Sequence, residues 1–109
     1  MNIFYYRTSS GRETVREYIE DLPVDDQIDI GGDIRLIIEH GIVGAPVVTR
    51  KLQGKLWEIK TGTRNQQRIF YCLYTEDGIV LLHACKKQKE GAQRADVELA
   101  SERMKEVLR

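Results

Sequence analysis

Basic side chains are concentrated in the second half of the chain, where a strand-turn-strand pattern would bring them together. Residues 50–89 hold nine basic and three acidic side chains, although the whole chain carries 17 of each sign. Arg68 and Lys87 lie on either side of Asp77-Gly78, a dipeptide typical of short hairpins. Arginine binds phosphate through a bidentate fork and lysine through a mobile point charge. The segment therefore predicts an anion site, with phosphate as the natural ligand.

The Asp77-Gly78 turn determines which residues face each other across the predicted hairpin. A two-residue turn pairs Tyr74 with Leu81, Cys72 with His83, Phe70 with Cys85 and Arg68 with Lys87. Two cations directly across a sheet repel each other, and a bound anion would relieve that repulsion. The alternative is a solvated basic face with no ligand, since short charge clusters are common on protein surfaces.

A second predicted turn, at Gln53-Gly54, places Lys51 on the same face as Glu58 and Lys60. Phe70, Tyr74 and His83, on or near this face, could stack on unpaired bases, which favours single-stranded RNA as the ligand. The predicted basic face contains Lys51, Glu58, Lys60, Arg68, His83 and Lys87. The predicted core contains Val48, Trp57, Ile59, Ile69, Tyr71, Leu73, Val80, Leu82 and Ala84.

The hydrophobic periodicity predicts an α+β fold with the order β-α-α-β-β-β-β-α. An N-terminal strand precedes two helices: the first is opened by a capping box of Ser10 and Glu13, and the second ends near Gly41. An antiparallel four-stranded meander and one C-terminal helix follow. The strands are predicted at residues 2–7, 47–52, 55–60, 66–74 and 79–87, and the last helix from about Arg94 to the end.

Length and composition favour one globular domain over residues 1–109, with 41% hydrophobic and 31% charged residues. We find no apolar run long enough for a membrane span and no secretory signal at the start, so we expect a cytoplasmic protein without membrane contact. Cys72 and Cys85 are expected to be reduced. The sequence has no arrangement typical of a catalytic metal site, and we expect neither a metal nor a cofactor.

Several blocks of the sequence closely resemble the HigB-like, phage-derived branch of the RelE/ParE toxin superfamily. They are "KLQGKLWEIK" at residues 51–60, "QRIFY" at 67–71, "LLHACKK" at 81–87 and the tail at 98–105. The resemblance extends over about residues 1–108. It implies the RelE fold and a toxin of a type II toxin–antitoxin system that cleaves mRNA as a metal-independent endoribonuclease on the 70S ribosome. It also implies a cognate antitoxin, a helix-turn-helix protein encoded nearby.

Within that scheme, Arg68 matches the arginine of the "RIFY" block and would stabilise the transition-state phosphate. Lys87 and His83 are the candidates for acid/base catalysis. The candidate RNA-binding or phosphate-binding residues are Lys60, Arg64, Lys86, Lys51 and Phe70.

Two other functions are open at this point. One is a non-nuclease toxin that inhibits a protein target such as DNA gyrase, as ParE-like members do. The other is a degenerate toxin that only binds its antitoxin. The sequence also departs from the family after its paired lysines, which leaves the alignment of Lys86, Lys87 and Lys89 with the family's lysines open.

Overall fold

A computed structural model describes residues 1–88 and 94–109 of the chain. The element order β-α-α-β-β-β-β-α agrees with the predicted order, and the fold class is confirmed as α+β. The elements are β1 (Asn2–Tyr5), α1 (Thr14–Glu20), α2 (Val24–Gly44), β2 (Val48–Gln53), β3 (Leu56–Thr61), a short 3-10 helix (Thr63–Asn65), β4 (Gln67–Thr75), β5 (Gly78–Lys86) and α3 (Arg94–Val107).

The strands form one mixed sheet in the order β1-β5-β4-β3-β2. The meander from β2 to β5 is antiparallel throughout, whereas β1 lies parallel to β5 at the edge. A parallel neighbour requires a long crossover connection, and the chain uses α1, α2 and the meander for it. No helix among the described residues is long and apolar enough to cross a membrane.

The two N-terminal helices begin and end differently from the sequence prediction. The capping box is wrong: α1 begins after Glu13 without a side-chain cap, and Ser10 contacts Thr8 instead. Glu13 pairs with arginines rather than with the backbone. In α2 the backbone leaves helical geometry at Gly41, where φ is 79°, and one further turn follows to Gly44. Glycine tolerates this φ, so the predicted helix end is a kink.

Both faces of the sheet are covered, which corrects the prediction of one open basic face. α1 and α2 pack on one face through Val15, Ile30 and Ile37. α3 packs on the opposite face, which we call the α3 face, through side chains that include Ala100 and Met104. The buried apolar side chains of the α3 face are Leu56, Phe70, Cys72, Val80, Leu82 and Cys85.

The predicted hairpin pairings are wrong because both turns lie one residue from their predicted positions, at Gly54-Lys55 and Glu76-Asp77. In the β4–β5 hairpin, Arg68 lies opposite Cys85 and Phe70 opposite His83, so Arg68 does not face Lys87. The pairing then skips Leu82, a β-bulge that changes the alternation of side chains along β5.

The β2–β3 hairpin is shifted by one residue, which exchanges the two faces of β2. Lys51 lies opposite Trp57, on the face covered by α1 and α2, and therefore not with Glu58 as predicted. Val48 and Leu73, two predicted core residues, are 51% and 55% exposed. Val48 lies on the edge strand β2 in a shifted register, and Leu73 lies on β4 beyond the last residue that pairs with β3.

Candidate functional site

A row of polar and aromatic side chains crosses the α3 face from β2 to β5. Arg50 pairs with Glu58, Glu58 with Phe70, and Phe70 with His83 on successive strands. The rings of Phe70 and His83 are stacked, with centroids 5.8 Å apart and 5° between their planes. Because Phe70 is fully buried, its ring gives His83 a fixed orientation on the sheet.

A second row lies beside the first and brings two cations together. Lys60 on β3 pairs directly with Arg68 on β4, and Arg68 pairs with Cys85 on β5. The like-charge pair predicted for Arg68 and Lys87 is thus replaced by Lys60 and Arg68. We refer to Arg50, Glu58, Lys60, Arg68 and His83 as the Arg68 cluster.

Arg68 is held by the backbone at the start of β4. Its Nη1 donates to the carbonyl oxygens of Asn65, at 2.6 Å, and Gln67, at 3.0 Å. Asn65 and its neighbour Arg64 both have a φ of 55°, a left-handed conformation that is uncommon outside glycine. This turn aims the Asn65 carbonyl at the guanidinium, so loop geometry positions the arginine.

Glu58 is the acidic centre of the Arg68 cluster. Its carboxylate is fully buried, with Oε1 2.9 Å from Nε of Arg50 and 3.8 Å from Nε of Arg68. Among the described residues, no hydrogen bond of good geometry reaches either carboxylate oxygen. A buried carboxylate without full hydrogen bonding costs free energy, and such groups are concentrated at functional sites.

His83 is bonded to the first turn of α3. Its Nε2 lies 2.6 Å from Oδ1 of Asp96, and the two side chains are 18% and 22% exposed. A carboxylate in this position fixes the orientation of the imidazole. Burial and the nearby carboxylate of Asp96 raise the pKa of Cys85 to about 12, so its thiol is protonated at neutral pH.

Residues 17–105 match the protein family described as phage-derived protein Gp49-like (DUF891). The chain belongs to this family. The family is toxin-like, of the RelE/HigB type, and a toxin of a toxin–antitoxin system implies an antitoxin partner. A search of curated proteins finds no match to the sequence. The Arg68 cluster lies entirely within the part of this Gp49-like chain that the family covers.

Not all predicted site residues of the Gp49-like chain join the Arg68 cluster. Arg64 and Lys86 line a cavity of about 400 Å³ beside α1 and the start of α2. Lys87 follows the end of β5, where its N–H donates to the carbonyl of Gln66. Lys51 lies on the other face, and Lys89 is outside the described residues. Four predicted residues, Lys60, Arg68, Phe70 and His83, do share the α3 face. The prediction that Phe70 contacts RNA is wrong, because its ring is fully buried and stacks on His83 instead.

Sequence reasoning missed Arg50, Glu58 and Asp96 as functional candidates. Glu58 had a signal, because it is the one acidic residue among the three lysines of residues 51–60. Arg50 was hidden by the one-residue error in the β2 register. Asp96 reaches the sheet only through the packing of α3, a long-range contact that strand periodicity does not contain.

Proposed function

We propose that this Gp49-like protein is a toxin that cleaves mRNA as a metal-independent endoribonuclease acting on ribosome-bound message. The observation that carries the proposal is the adjacent placement of Lys60 and Arg68, next to His83 with its Asp96 partner. This arrangement offers two cations for a phosphate and one titratable group beside them. Cleavage through the ribose 2′-hydroxyl needs a group that transfers protons and cations that stabilise the charge on the phosphate.

The cations are assigned to the scissile phosphate. Lys60 and Arg68 are direct neighbours across two strands, and a phosphate between them would offset their mutual repulsion. As the 2′-oxygen attacks phosphorus, negative charge grows on the non-bridging oxygens. Preorganised cations stabilise that charge more than they stabilise the ground state, which is how they accelerate the reaction.

His83 is assigned to proton transfer. One proton must leave the attacking 2′-hydroxyl and one must reach the departing 5′-oxygen, and a histidine can serve either step near neutral pH. Asp96 holds the imidazole of His83 in one orientation during both transfers. The products are then a 2′,3′-cyclic phosphate and a 5′-hydroxyl end, with no water consumed in this step. Lys87, after the end of β5, is not required in this scheme.

Induced expression in a bacterial host tests the proposal. The wild-type chain should arrest growth and cleave a translated reporter mRNA, as followed by primer extension. Arg68→Ala should reduce the cleavage rate by about 100-fold, since loss of one preorganised donor typically has this effect. His83→Gln should reduce it to a similar extent, because it removes the proton carrier.

Arg35→Ala is the matched control for Arg68→Ala, because Arg35 is exposed on α2 and remote from the α3 face. It should leave growth arrest and cleavage unchanged. Full cleavage in Arg68→Ala, at equal protein level, would refute the assignment of the site. Growth arrest without any mRNA cleavage would instead favour a protein target, as in gyrase-inhibiting relatives.

The partner that we propose is an antitoxin with a helix-turn-helix domain, encoded next to the toxin gene. The support is membership in a toxin-like family, since a free toxin of this class would be lethal to its own cell. Co-expression of the neighbouring gene should restore growth and yield a stable complex on purification. Failure of every adjacent gene to do so would contradict this partner.

A further inference from the structure

We propose that His83, Cys85 and Asp96 form a binding site for a divalent transition metal ion of the zinc type, which fastens α3 to β5. The site goes beyond the proposed reaction, which uses no metal. Each residue offers one ligand atom, and these atoms all lie within 4.8 Å of one another. The three donors are an imidazole nitrogen, a thiol sulfur and a carboxylate oxygen, which are the ligand types that zinc prefers.

The distances require only small adjustments for metal binding. A tetrahedral zinc ion with bonds of about 2.0–2.3 Å holds its ligand atoms on the order of 3.5 Å apart. Nε2 of His83 and Oδ1 of Asp96 are 2.6 Å apart and would separate slightly, while the widest separation of 4.8 Å would contract. Displacements of about 1 Å satisfy both, within the reach of side-chain rotation.

The residues around the three ligands favour the binding of a metal ion. The stacking of His83 on buried Phe70 fixes the plane of the imidazole. Cys85 follows His83 by two residues on the same face of β5 and lies opposite Arg68. His83 and Asp96 remain about one-fifth exposed, so an ion can enter from solvent. Three protein ligands leave a fourth position open for water.

Metal binding would change both the bonding and the rigidity of this region. The Cys85 thiol loses its proton to solvent, and the hydrogen bond between His83 and Asp96 is replaced by two bonds to the ion. Because Asp96 belongs to α3 and the other two ligands to β5, the ion links the helix to the sheet. Metal binding and RNA cleavage then exclude each other at His83; this consequence alone rests on the proposed function.

Titration of the purified, metal-free protein with Co²⁺ tests the site without RNA. The wild-type chain should develop a thiolate-to-cobalt charge-transfer band in the near ultraviolet and tetrahedral bands in the visible. One equivalent of Zn²⁺ should remove them by displacing cobalt. Zn²⁺ should also raise the melting temperature, since a ligand that binds only the native state stabilises it.

Cys72→Ser is the matched control, because Cys72 is the other buried cysteine of the α3 face and is not among the three ligand residues. It should keep the charge-transfer band, whereas Cys85→Ser should lose it. Asp96→Asn should keep the band but weaken cobalt binding at least tenfold. This variant provides a second test of the site in case Cys85→Ser does not fold. A band that persists in Cys85→Ser, a wild-type chain without a band, or unchanged affinity in Asp96→Asn would each overturn the proposal.

Discussion

At the scale of single residues, Glu58 is the side chain on which the Arg68 cluster depends. It is fully buried between Arg50 and Arg68, and it lies two residues from Lys60 on the same face of β3. Without its charge, the cations on this face would repel one another in a partly dehydrated environment. The carboxylate therefore holds the cations in place for a phosphate and offsets one of their three positive charges.

Glu58→Gln tests this role through stability. Removal of the carboxylate charge leaves Arg68, whose side chain is 11% exposed, without its ionic partner. We expect the free energy of unfolding to fall by about 3 kcal/mol, the usual range for breaking a buried ion pair from one side. Urea denaturation followed by circular dichroism measures the change.

Arg50→Gln is the control for that experiment. Arg50 is 44% exposed, so its pair with Glu58 is partly screened by water. We expect a loss of about 1 kcal/mol or less. A larger loss in Arg50→Gln than in Glu58→Gln would contradict the central position given to Glu58.

At the scale of elements, α2 holds the loop between β3 and β4. Its carboxylates at positions 26, 29 and 33 lie along one side of the helix. Asp26 accepts the backbone N–H of Thr63 at 2.9 Å, and Asp33 accepts the hydroxyl of Thr61 at 2.6 Å. The loop carries Arg64 and leads into Arg68. These acids are therefore structural partners of the basic loop.

Asp26→Ala should loosen this loop. The Thr63 N–H would lose its acceptor, and we expect the free energy of unfolding to fall by about 1–2 kcal/mol, since a hydrogen bond to a charged group is lost. RNA cleavage should fall as well, because Arg68 takes its backbone partner from the same loop. Denaturation and primer extension measure the two effects.

Asp25→Ala provides the comparison, because Asp25 is the exposed neighbour in the same helical turn. It should change the free energy of unfolding by less than about 0.5 kcal/mol. Equal effects of the two substitutions would mean that the charge of the helix terminus, and not the bond to Thr63, is what matters.

The elements themselves were predictable from the sequence, but their register was not. Alternating apolar residues and the two hairpin turns placed all four meander strands to within one residue. The pairing of β4 with β5 was predicted wrongly because the chain turns at Glu76-Asp77, one residue before the predicted Asp77-Gly78, while the irregularities at Tyr74 and Leu82 offset each other. Arg68 and His83 lie on the same face, as predicted, because the register error in their part of the hairpin is two residues, an even number. Lys51 lies on the opposite face, because the β2 register is shifted by one residue.

At the scale of the whole molecule, the zero net charge conceals a division between acidic helices and a basic sheet. Residues 1–49 hold nine acidic and four basic side chains, the reverse of the balance in residues 50–89. Screening limits the reach of surface charge to about 8–10 Å at physiological salt. A phosphate at the Arg68 cluster therefore responds to the local basic face and not to the net charge.

The buried core also predicts how the whole molecule responds to alkaline pH. Burial raises the pKa of Cys72 to about 11, and that of Cys85 and Tyr71 to about 12. These groups lose protons at lower pH in the unfolded chain than in the native one. Native stability is therefore complete below about pH 8.5 and decreases as the pH rises toward the native pKa values.

Urea denaturation at pH 7.5 and at pH 10 measures this decrease. Each cysteine should contribute about 2 kcal/mol to the loss at pH 10. Cys72→Ala should reduce the pH dependence by its share, although it lowers stability at both pH values through the cavity it leaves. A free energy of unfolding that rises between the two pH values would contradict the assignment of buried, protonated thiols.

The most direct test of the central claim is the chemistry of the RNA ends in cells that express the protein. Sequencing libraries specific for 5′-hydroxyl and 2′,3′-cyclic phosphate ends should be prepared from cells with the wild-type chain, Arg68→Ala and Arg35→Ala. We predict new ends of both kinds within translated messages for the wild-type chain and for Arg35→Ala, and none for Arg68→Ala. Growth arrest by the wild-type chain with no new ends of this chemistry would contradict the claim that the Arg68 cluster cleaves RNA.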